Sequence, residues 1–132
     1  MSSQEKLVMI VEDDDSVLEF LEHVVGKEGF QVEKIQYGDK AMSRIKKVIP
    51  ALVILDLMLP RYGGFDILRE LQAEGLASIP IVVITGRYTD KSTQEMIRSE
   101  SNVAEFIEKP IQPMVLISTL HHILKTKSPH SA

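Results

Sequence analysis

Short apolar runs recur along the chain and predict five β-strands. The runs span Leu7 to Val11, a weaker Val32 to Gln36, Leu52 to Leu55, Ile81 to Ile84, and Ala104 to Ile107. Four of the five lack polar alternation, which is typical of parallel strands covered on both faces rather than of a sheet with one wet side. The pattern therefore favours a parallel sheet between two layers of helices.

The segments between these runs carry apolar residues at helical spacing, which predicts a helix after each strand. The apolar stripes are Val17, Leu21, Val24 and Val25 in the first helix (about 15–27), Ala41, Ile45, Val48 and Ile49 in the second, Ile67, Leu68 and Leu71 in the third, and Leu116, Ile117, Leu120 and Leu124 in the fifth. The fourth helix, at about 91–99, has only Met96 and Ile97 as large apolar residues, so we expect it to be held loosely. Strict alternation predicts an α/β fold, a doubly wound (βα)5 parallel five-stranded sheet with helices on both faces.

The composition fits one soluble domain. With 132 residues, 44% hydrophobic and 26% charged, the chain has the commonest size of a single domain, which we place at 1–127, followed by a polar tail or the start of a linker at 128–132. The formal charge of −4 and the scattered basic residues argue against a nucleic-acid surface. The absence of cysteine suits a reducing cytoplasm, and the polar start MSSQEKL is neither a signal peptide nor a membrane anchor.

Candidate chemistry is expected after the strands, because open parallel sheets bind ligands at the carboxyl ends of their strands. The polar residues found there are Glu12, Asp13, Asp14 and Asp15 after the first run, Asp56 after the third, Thr85 after the fourth, and Lys109 with Pro110 after the fifth. Capping of the first helix explains Asp14 and Asp15. Asp56 stands inside an apolar run, where a carboxylate is costly unless it is paired or bound to a metal.

Glu12, Asp13 and Asp56 are three converging acids with no neutralising base nearby, and such hard oxygen ligands favour Mg²⁺ or Mn²⁺. Since Mg²⁺ usually binds one or two carboxylates plus phosphate oxygens, the pattern indicates phosphoryl transfer. Lys109 and Thr85 would then contact the other phosphoryl oxygens. Taken singly, these residues have plainer interpretations, as a loop acid, a strand-end threonine and a solvated surface lysine.

Four motifs resemble receiver domains of bacterial two-component response regulators, the CheY-like superfamily, whose fold is flavodoxin-like. They read VMIVEDDDSV at 8–17, VILDLMLPRYGGFDIL at 53–68, VVITGR at 82–87 and AEFIEKPI at 104–111. They stand in the family's order and spacing, and the resemblance covers the chain from Leu7 to about Leu124. It implies a signalling phosphoprotein and not an enzyme, since such a domain catalyses only its own phosphorylation and dephosphorylation.

The resemblance implies that Asp56 is the phosphoacceptor, phosphorylated by a sensor histidine kinase or a phosphotransfer protein. It also implies a Mg²⁺ site, with Mn²⁺ as the substitute. Asp13 and Asp56 would bind the metal directly, Glu12 would bind it through a water, and the backbone carbonyl of Met58 would supply a further ligand.

The resemblance assigns the remaining residues to a clamp and a switch. Thr85 and Lys109 would hold the phosphoryl oxygens, and the bond between Lys109 and Pro110 would be cis. Phe106 would turn inward when Thr85 moves, which changes the face made by the fourth helix, fifth strand and fifth helix. That face would then change its affinity for a downstream effector domain or protein. Gly86, where the family commonly has Ala or Ser, leaves room beside the site.

Two departures from the family lead to further expectations. Thr119 stands where winged-helix members have an arginine that supports a dimer, so we expect a monomer or weak dimer. We also expect no membrane contact and no direct nucleic-acid contact by this domain. Met58 cannot orient an attacking water, which predicts slow loss of phosphate. We expect His121 and His122 at the surface of the fifth helix, without a phosphotransfer role.

Two alternatives to a phosphorylated receiver remain. The first is a pseudo-receiver that acts as a phosphorylation-independent protein-binding module, although such domains usually lack some of the acids, the threonine or the lysine present here. The second is a magnesium-dependent phosphatase with an aspartyl nucleophile. That class needs an acid two residues after the nucleophile, where this chain has Met58.

Overall fold

The computed structural model describes residues 6–59, 62–86 and 90–130. The predicted polar start at 1–5, the motif residues 60–61 and 87, and residues 131–132 of the predicted tail lie outside this part of the chain. Among the described residues, no helix is both long enough and apolar enough to cross a membrane.

In the part of the chain that the structure describes, five strands and five helices alternate, as predicted. They are β1 Leu7–Val11, α1 Asp15–Lys27, β2 Gln31–Ile35, α2 Gly38–Val48, β3 Leu52–Asp56, α3 Gly64–Ala73, β4 Ile81–Thr85, α4 Lys91–Ser99, β5 Val103–Glu108 and α5 Pro113–Leu124. The strands form one sheet in the order β2-β1-β3-β4-β5, and each neighbouring pair is parallel. The predicted doubly wound, flavodoxin-like fold is therefore confirmed.

The two faces of the sheet are covered by different helices. One apolar cluster joins Val8 and Ile10 of β1 to α1 and α5, and the other joins Met9 and Val11 to α2, α3 and the single residue Ile97 of α4. This division follows from strand geometry, because successive side chains point to opposite faces. Strands β3 and β4 are buried along their whole length, in agreement with their uninterrupted apolar runs.

Several predicted boundaries are wrong by one residue, and one predicted core residue is misplaced. Strands β3 and β4 extend to Asp56 and Thr85, so both polar residues belong to the sheet itself. Ile49 is not on the inner stripe of α2, since it lies at the end of the helix with a left-handed backbone (φ 45°) and is 52% exposed. Met42 is buried in α2 and contributes to the core in its place.

Helix α4 is attached weakly, as its sequence indicates, but by one apolar residue rather than two. Ile97 is fully buried, whereas Met96 is 52% exposed. Polar contacts also join the helix to β5: the side-chain amide of Gln94 donates to Glu108 over 3.0 Å, and the guanidinium of Arg98 lies 5.1 Å from the centre of the Phe106 ring.

The neighbouring residues Met96 and Ile97 provide a matched test of this attachment. Ile97→Ala is expected to lower the free energy of unfolding by about 2–5 kcal/mol, because it leaves a cavity under α4. Met96→Ala should change it by less than about 0.5 kcal/mol, since the side chain is exposed. Urea denaturation measures both values. Equal effects of the two substitutions would contradict the assignment of Ile97 as the apolar anchor.

Candidate functional site

Two buried acids and a lysine meet at the carboxyl ends of β1, β3 and β5. Glu12 directly follows β1 and is fully buried, Asp56 ends β3 and is 3% exposed, and Lys109 follows β5. Each lies two residues after an isoleucine on the α1–α5 face; these are Ile10, Ile54 and Ile107. The alternation of side chains along parallel strands therefore directs the three charged groups to the same side of the sheet.

Lys109 provides the neutralising base that the sequence analysis did not place near the acids. Its Nζ donates to both oxygens of Glu12, at 3.3 and 3.4 Å, and to Oδ2 of Asp56 at 3.4 Å. Burial alone would lower the pKa of Lys109, but the charges of Asp56 and Glu12 outweigh it and raise the pKa. The expectation of three acids with no nearby base is thus wrong for Glu12 and Asp56.

The carboxyl group of Glu12 is costly to ionise at this position. Its pKa is raised to about 7, chiefly by burial and also by the hydrogen bond and the charge of the adjacent carboxyl group of Asp56. Lys109 and the backbone N–H of Asp14, which donates to Oε1 of Glu12 over 3.2 Å, act in the opposite direction without cancelling these two effects. One ammonium group therefore compensates two buried carboxylates incompletely, which leaves the site short of positive charge.

Asp13 and Asp14 are adjacent but have different roles. The carboxylate of Asp14 caps α1 by accepting from the backbone N–H groups of Ser16 at 2.9 Å and Val17 at 3.2 Å. These bonds, with that of the Ser16 hydroxyl, lower the pKa of Asp14. Asp13 instead turns a carboxylate oxygen toward Glu12 and Asp56, so that ligand atoms of the three residues lie within 4.8 Å of one another. The capping interpretation is confirmed for Asp14.

The three carboxylates suit a small, hard divalent cation. Two of them are buried and the third, Asp13, is exposed, so the cluster opens toward solvent on one side. Oxygen ligands in this number leave coordination positions for water and phosphate oxygens, the arrangement in which Mg²⁺ is usually bound. The cluster also has too little positive charge to balance its carboxylates, and a divalent cation would supply it.

The turn after Asp56 is held tightly against the sheet. The backbone N–H of Met58 donates to Oδ1 of Asp56 over 3.0 Å, while the N–H of Leu57 donates to the carbonyl of Ile84 over 2.9 Å. Gly64, at the start of α3, approaches so closely that a Cβ atom there would lie 2.8 Å from Cα of Leu57. The side chain of Met58 is 71% exposed and points no polar group toward Asp56.

The side chains of Thr85 and Phe106 lie on the opposite face of the sheet, toward α4. Thr85 is fully buried, and its carbonyl accepts from the N–H of Lys109 over 2.7 Å. In the ladder between β4 and β5, Val83 pairs with Phe106 and Thr85 with Glu108, so Thr85 and Phe106 are diagonal neighbours on one face. Phe106 is 6% exposed. The peptide bond between Lys109 and Pro110 is cis.

Besides the contacts of Lys109 with the two acids, sequence reasoning missed two contacts at this site. The stacking of Arg98 on Phe106 depends on how α4 sits against β5, which no local pattern encodes. The close approach of Gly64 to Leu57 had a signal, since two adjacent glycines follow the turn after Asp56. All the predicted site residues lie at the carboxyl edge of the sheet or directly beside it.

Comparison with known proteins assigns the class. The family model of response regulator receiver domains matches residues 8–121, and the chain belongs to this family. It is therefore a receiver domain of the kind found in two-component signalling.

Individual relatives and structures agree with this assignment. The chain is 33% identical over 125 residues to the DNA-binding response regulator MtrA of Mycolicibacterium smegmatis, covering 95% of this chain and 53% of that protein. It is 30% identical over 118 residues to the sensory transduction protein RegX3 of Mycobacterium tuberculosis, covering 89% and 50%. The chain thus spans about half the length of the curated relatives it matches.

Two solved structures are similar throughout. The BeF3-activated N-terminal receiver domain of Klebsiella pneumoniae RstA is 30% identical, with a TM-score of 0.79 over 92% of this chain and 100% of that one. A response regulator from Chloroflexus aurantiacus is also 30% identical, with a TM-score of 0.81 over 91% and 98%. Both similarities extend over more than nine-tenths of this chain.

The raised pKa of Glu12 predicts a pH-dependent effect of Glu12→Gln in metal-free protein. The amide imitates the protonated carboxyl group, so the variant should match wild type at pH 5. As the pH rises from 4.5 through about 7, the wild type loses stability because folded Glu12 holds its proton more tightly than unfolded Glu12. At pH 8 the variant should be more stable by about 2 kcal/mol.

Urea denaturation in EDTA at pH 5 and pH 8 measures this difference. Glu19→Gln, at an exposed position of α1, serves as the control and should show no such change with pH. A Glu12→Gln variant that is less stable than wild type at pH 8 would show that Lys109 compensates both carboxylates fully.

Proposed function

We propose that this receiver domain is switched by phosphorylation of Asp56. The observation that supports this most directly is the position of Asp56, a buried carboxylate at the end of β3 with Lys109 Nζ 3.4 Å from its Oδ2. The donor is the phosphohistidine of a sensor histidine kinase or of a phosphotransfer protein. A carboxylate oxygen attacks phosphorus, the P–N bond breaks, and its electron pair returns to the departing imidazole, which takes up a proton.

Residues around Asp56 provide charge and hydrogen bonds for the transferred group. Lys109 already contacts the carboxylate and would neutralise one phosphoryl oxygen, while the hydroxyl of Thr85 would donate to another. Glu12, Asp13, Asp56 and the carbonyl of Met58 would hold Mg²⁺, or Mn²⁺ in its place. When bound, this ion supplies positive charge that offsets the negative charge of the phosphoryl oxygens.

The readout would pass from Thr85 to α4. Movement of Thr85 toward the phosphoryl group alters the space beside its diagonal neighbour Phe106, whose ring is covered by Arg98 of α4. Because Ile97 is the one buried residue of α4, a small change in these contacts is enough to shift the helix. The face of α4, β5 and α5 would then change its affinity for an effector.

The partners and setting follow from the same proposal. The matched part of the relatives covers about half of their length, and MtrA is named a DNA-binding protein, so we propose an effector domain or protein downstream, with DNA contact made outside this domain. Thr119 stands where winged-helix members have an arginine that supports a dimer, and its hydroxyl donates to the carbonyl of Val115 in its own helix. We therefore propose a monomer or weak dimer. The domain would act in the cytoplasm and catalyse only its own phosphorylation and dephosphorylation.

Phosphorylation is tested with phosphoramidate and Mg²⁺, followed by intact mass spectrometry. Wild type is expected to gain one phosphoryl group, and Asp56→Asn is expected to gain none because the amide is not a nucleophile. The control Asp39→Asn, at an exposed position of α2, should behave like wild type. An unmodified wild type would favour the phosphorylation-independent binding module, and a modified Asp56→Asn would place the acceptor elsewhere.

The exposed side chain of Met58 predicts a long-lived phosphoprotein. No polar group at this position orients a water toward the phosphorus, so hydrolysis should take minutes to hours and not seconds. Met58→Asn adds an amide that can orient a water and should shorten the lifetime several-fold. Met114→Asn, which adds the same amide at another exposed methionine, is the control. Loss of phosphate from wild type within seconds would contradict this prediction.

A further inference from the structure

A third buried carboxylate, that of Glu28, lies outside the phosphorylation site and is not used by it. Glu28 follows α1 and is 3% exposed, although no apolar run or metal cluster predicted a role for it. Its Oε1 lies 2.8 Å from Nε2 of His121 in α5. The expectation that His121 lies at the surface of α5 is therefore wrong, since its side chain is only 11% exposed.

His121 joins Glu28 to the residues that follow α5. A carboxylate oxygen only accepts hydrogen bonds, so Nε2 of His121 carries the proton. Its other nitrogen, Nδ1, lies 2.7 Å from the hydroxyl of Thr126, and its ring packs on Phe30 with 5.2 Å between the ring centres. Lys125 turns the chain back with a left-handed backbone (φ 55°), which lets the N–H of Thr126 bond the carbonyl of His121.

The same carboxylate contacts the chain further on. Nε2 of His130 lies 3.0 Å from the carbonyl of Lys27 and 3.6 Å from Oε2 of Glu28. Both are acceptors, so this nitrogen is also protonated. The side chain of Ser128 hydrogen-bonds Glu28 as well, and its hydroxyl accepts from the backbone N–H of His130 over 3.3 Å. Two of the groups around Glu28 therefore come from residues beyond α5.

A buried carboxylate needs donors to offset the loss of hydration. Burial alone would raise the pKa of Glu28, but hydrogen bonds from Ser128 and His121 and the charges of His121 and His130 lower it overall. The donors thus stabilise the ionised carboxylate by more than its burial destabilises it. Release of the residues beyond α5 would remove Ser128 and His130 from Glu28 and leave it with fewer donors.

We infer that Glu28 is the anchor for residues 125–130, here called the C-terminal segment, and that this segment is a docked part of the receiver rather than a free tail. The folded body then extends past the expected boundary at 127. Any polypeptide that follows would leave the domain beside the end of α1, on the α1–α5 side and away from α4. This inference does not depend on phosphorylation of Asp56.

Limited proteolysis tests the docking, because Lys125 and Lys127 are trypsin sites within the segment. When opening is fast, the cleavage rate follows the population of the open form. Wild type should lose the segment at least tenfold more slowly than a synthetic peptide of residues 121–132 is cut. Mass spectrometry of the products identifies the cleaved bond. Equal rates for the protein and the peptide would overturn the inference.

Glu28→Gln tests the anchor itself. The amide has the shape of the carboxylate but places an N–H donor where the two imidazole N–H groups need acceptors, so cleavage at Lys125 and Lys127 should be about tenfold faster. Glu22→Gln, in α1 and paired with Lys34 at the surface, should leave the rate unchanged. Equal rates for Glu28→Gln and wild type would show that another group holds the segment.

If Glu28→Gln folds poorly, a variant of the C-terminal segment still tests the docking by proteolysis. Ser128→Ala combined with His130→Ala removes two partners of Glu28 without altering the core, because His130 has a 54% exposed side chain and both residues lie beyond α5. This double variant should be cut several-fold faster than wild type while its urea midpoint stays close to that of wild type. An unchanged rate would overturn the inference.

Discussion

The functional edge of this domain depends on one ammonium group held between two buried carboxylates. Lys109 lies within 3.4 Å of both Glu12 and Asp56, and the three residues arrive from the ends of β1, β3 and β5. Burying two acids together is unfavourable in a medium of low dielectric, and a single lysine reduces that cost without removing it. The incomplete compensation leaves a site that favours a further cation and is suited to phosphoryl chemistry.

The rest of the fold divides into a rigid part that positions these groups and a compliant part that could respond to them. Strands β3 and β4 are buried at every residue, and the turn after Asp56 is fixed by Met58, Leu57 and the close contact of Gly64. Helix α4, by contrast, has one buried residue and a few polar contacts with β5. Because packed cores resist gradual deformation, a signal is expected to move the weakly attached element and not the strands.

Local patterns predicted most of the fold, and their failures have physical causes. The bounds of strand β1 and helix α1 were predicted to the residue. The apolar run begins and ends with the strand, and a capping residue precedes the helix. Strands β3 and β4 were ended too early, since Asp56 and Thr85 look like loop residues although their backbones continue the sheet. Ile49 is apolar and at helical spacing, and Met96 is one of the two large apolar residues of α4, but packing leaves both exposed. Predicting the position of Lys109 between the acids requires knowledge of the strand order. Predicting the contact of Arg98 with Phe106 requires knowledge of where α4 packs.

Glu12 and Glu28 show how the surroundings of a buried carboxylate determine its role. Both side chains are almost inaccessible, yet burial and a second carboxyl group raise the pKa of Glu12 to about 7, whereas burial is outweighed by hydrogen-bond donors that lower the pKa of Glu28. Glu12 shares one lysine with Asp56 and lies where Asp13 opens the cluster to solvent. Glu28 is surrounded by donors from α5 and the C-terminal segment. A carboxylate beside a second carboxyl group is ready to interact with a cation, while a carboxylate surrounded by donors from two segments fastens those segments together. Burial alone does not separate these cases, but the groups around each carboxylate do.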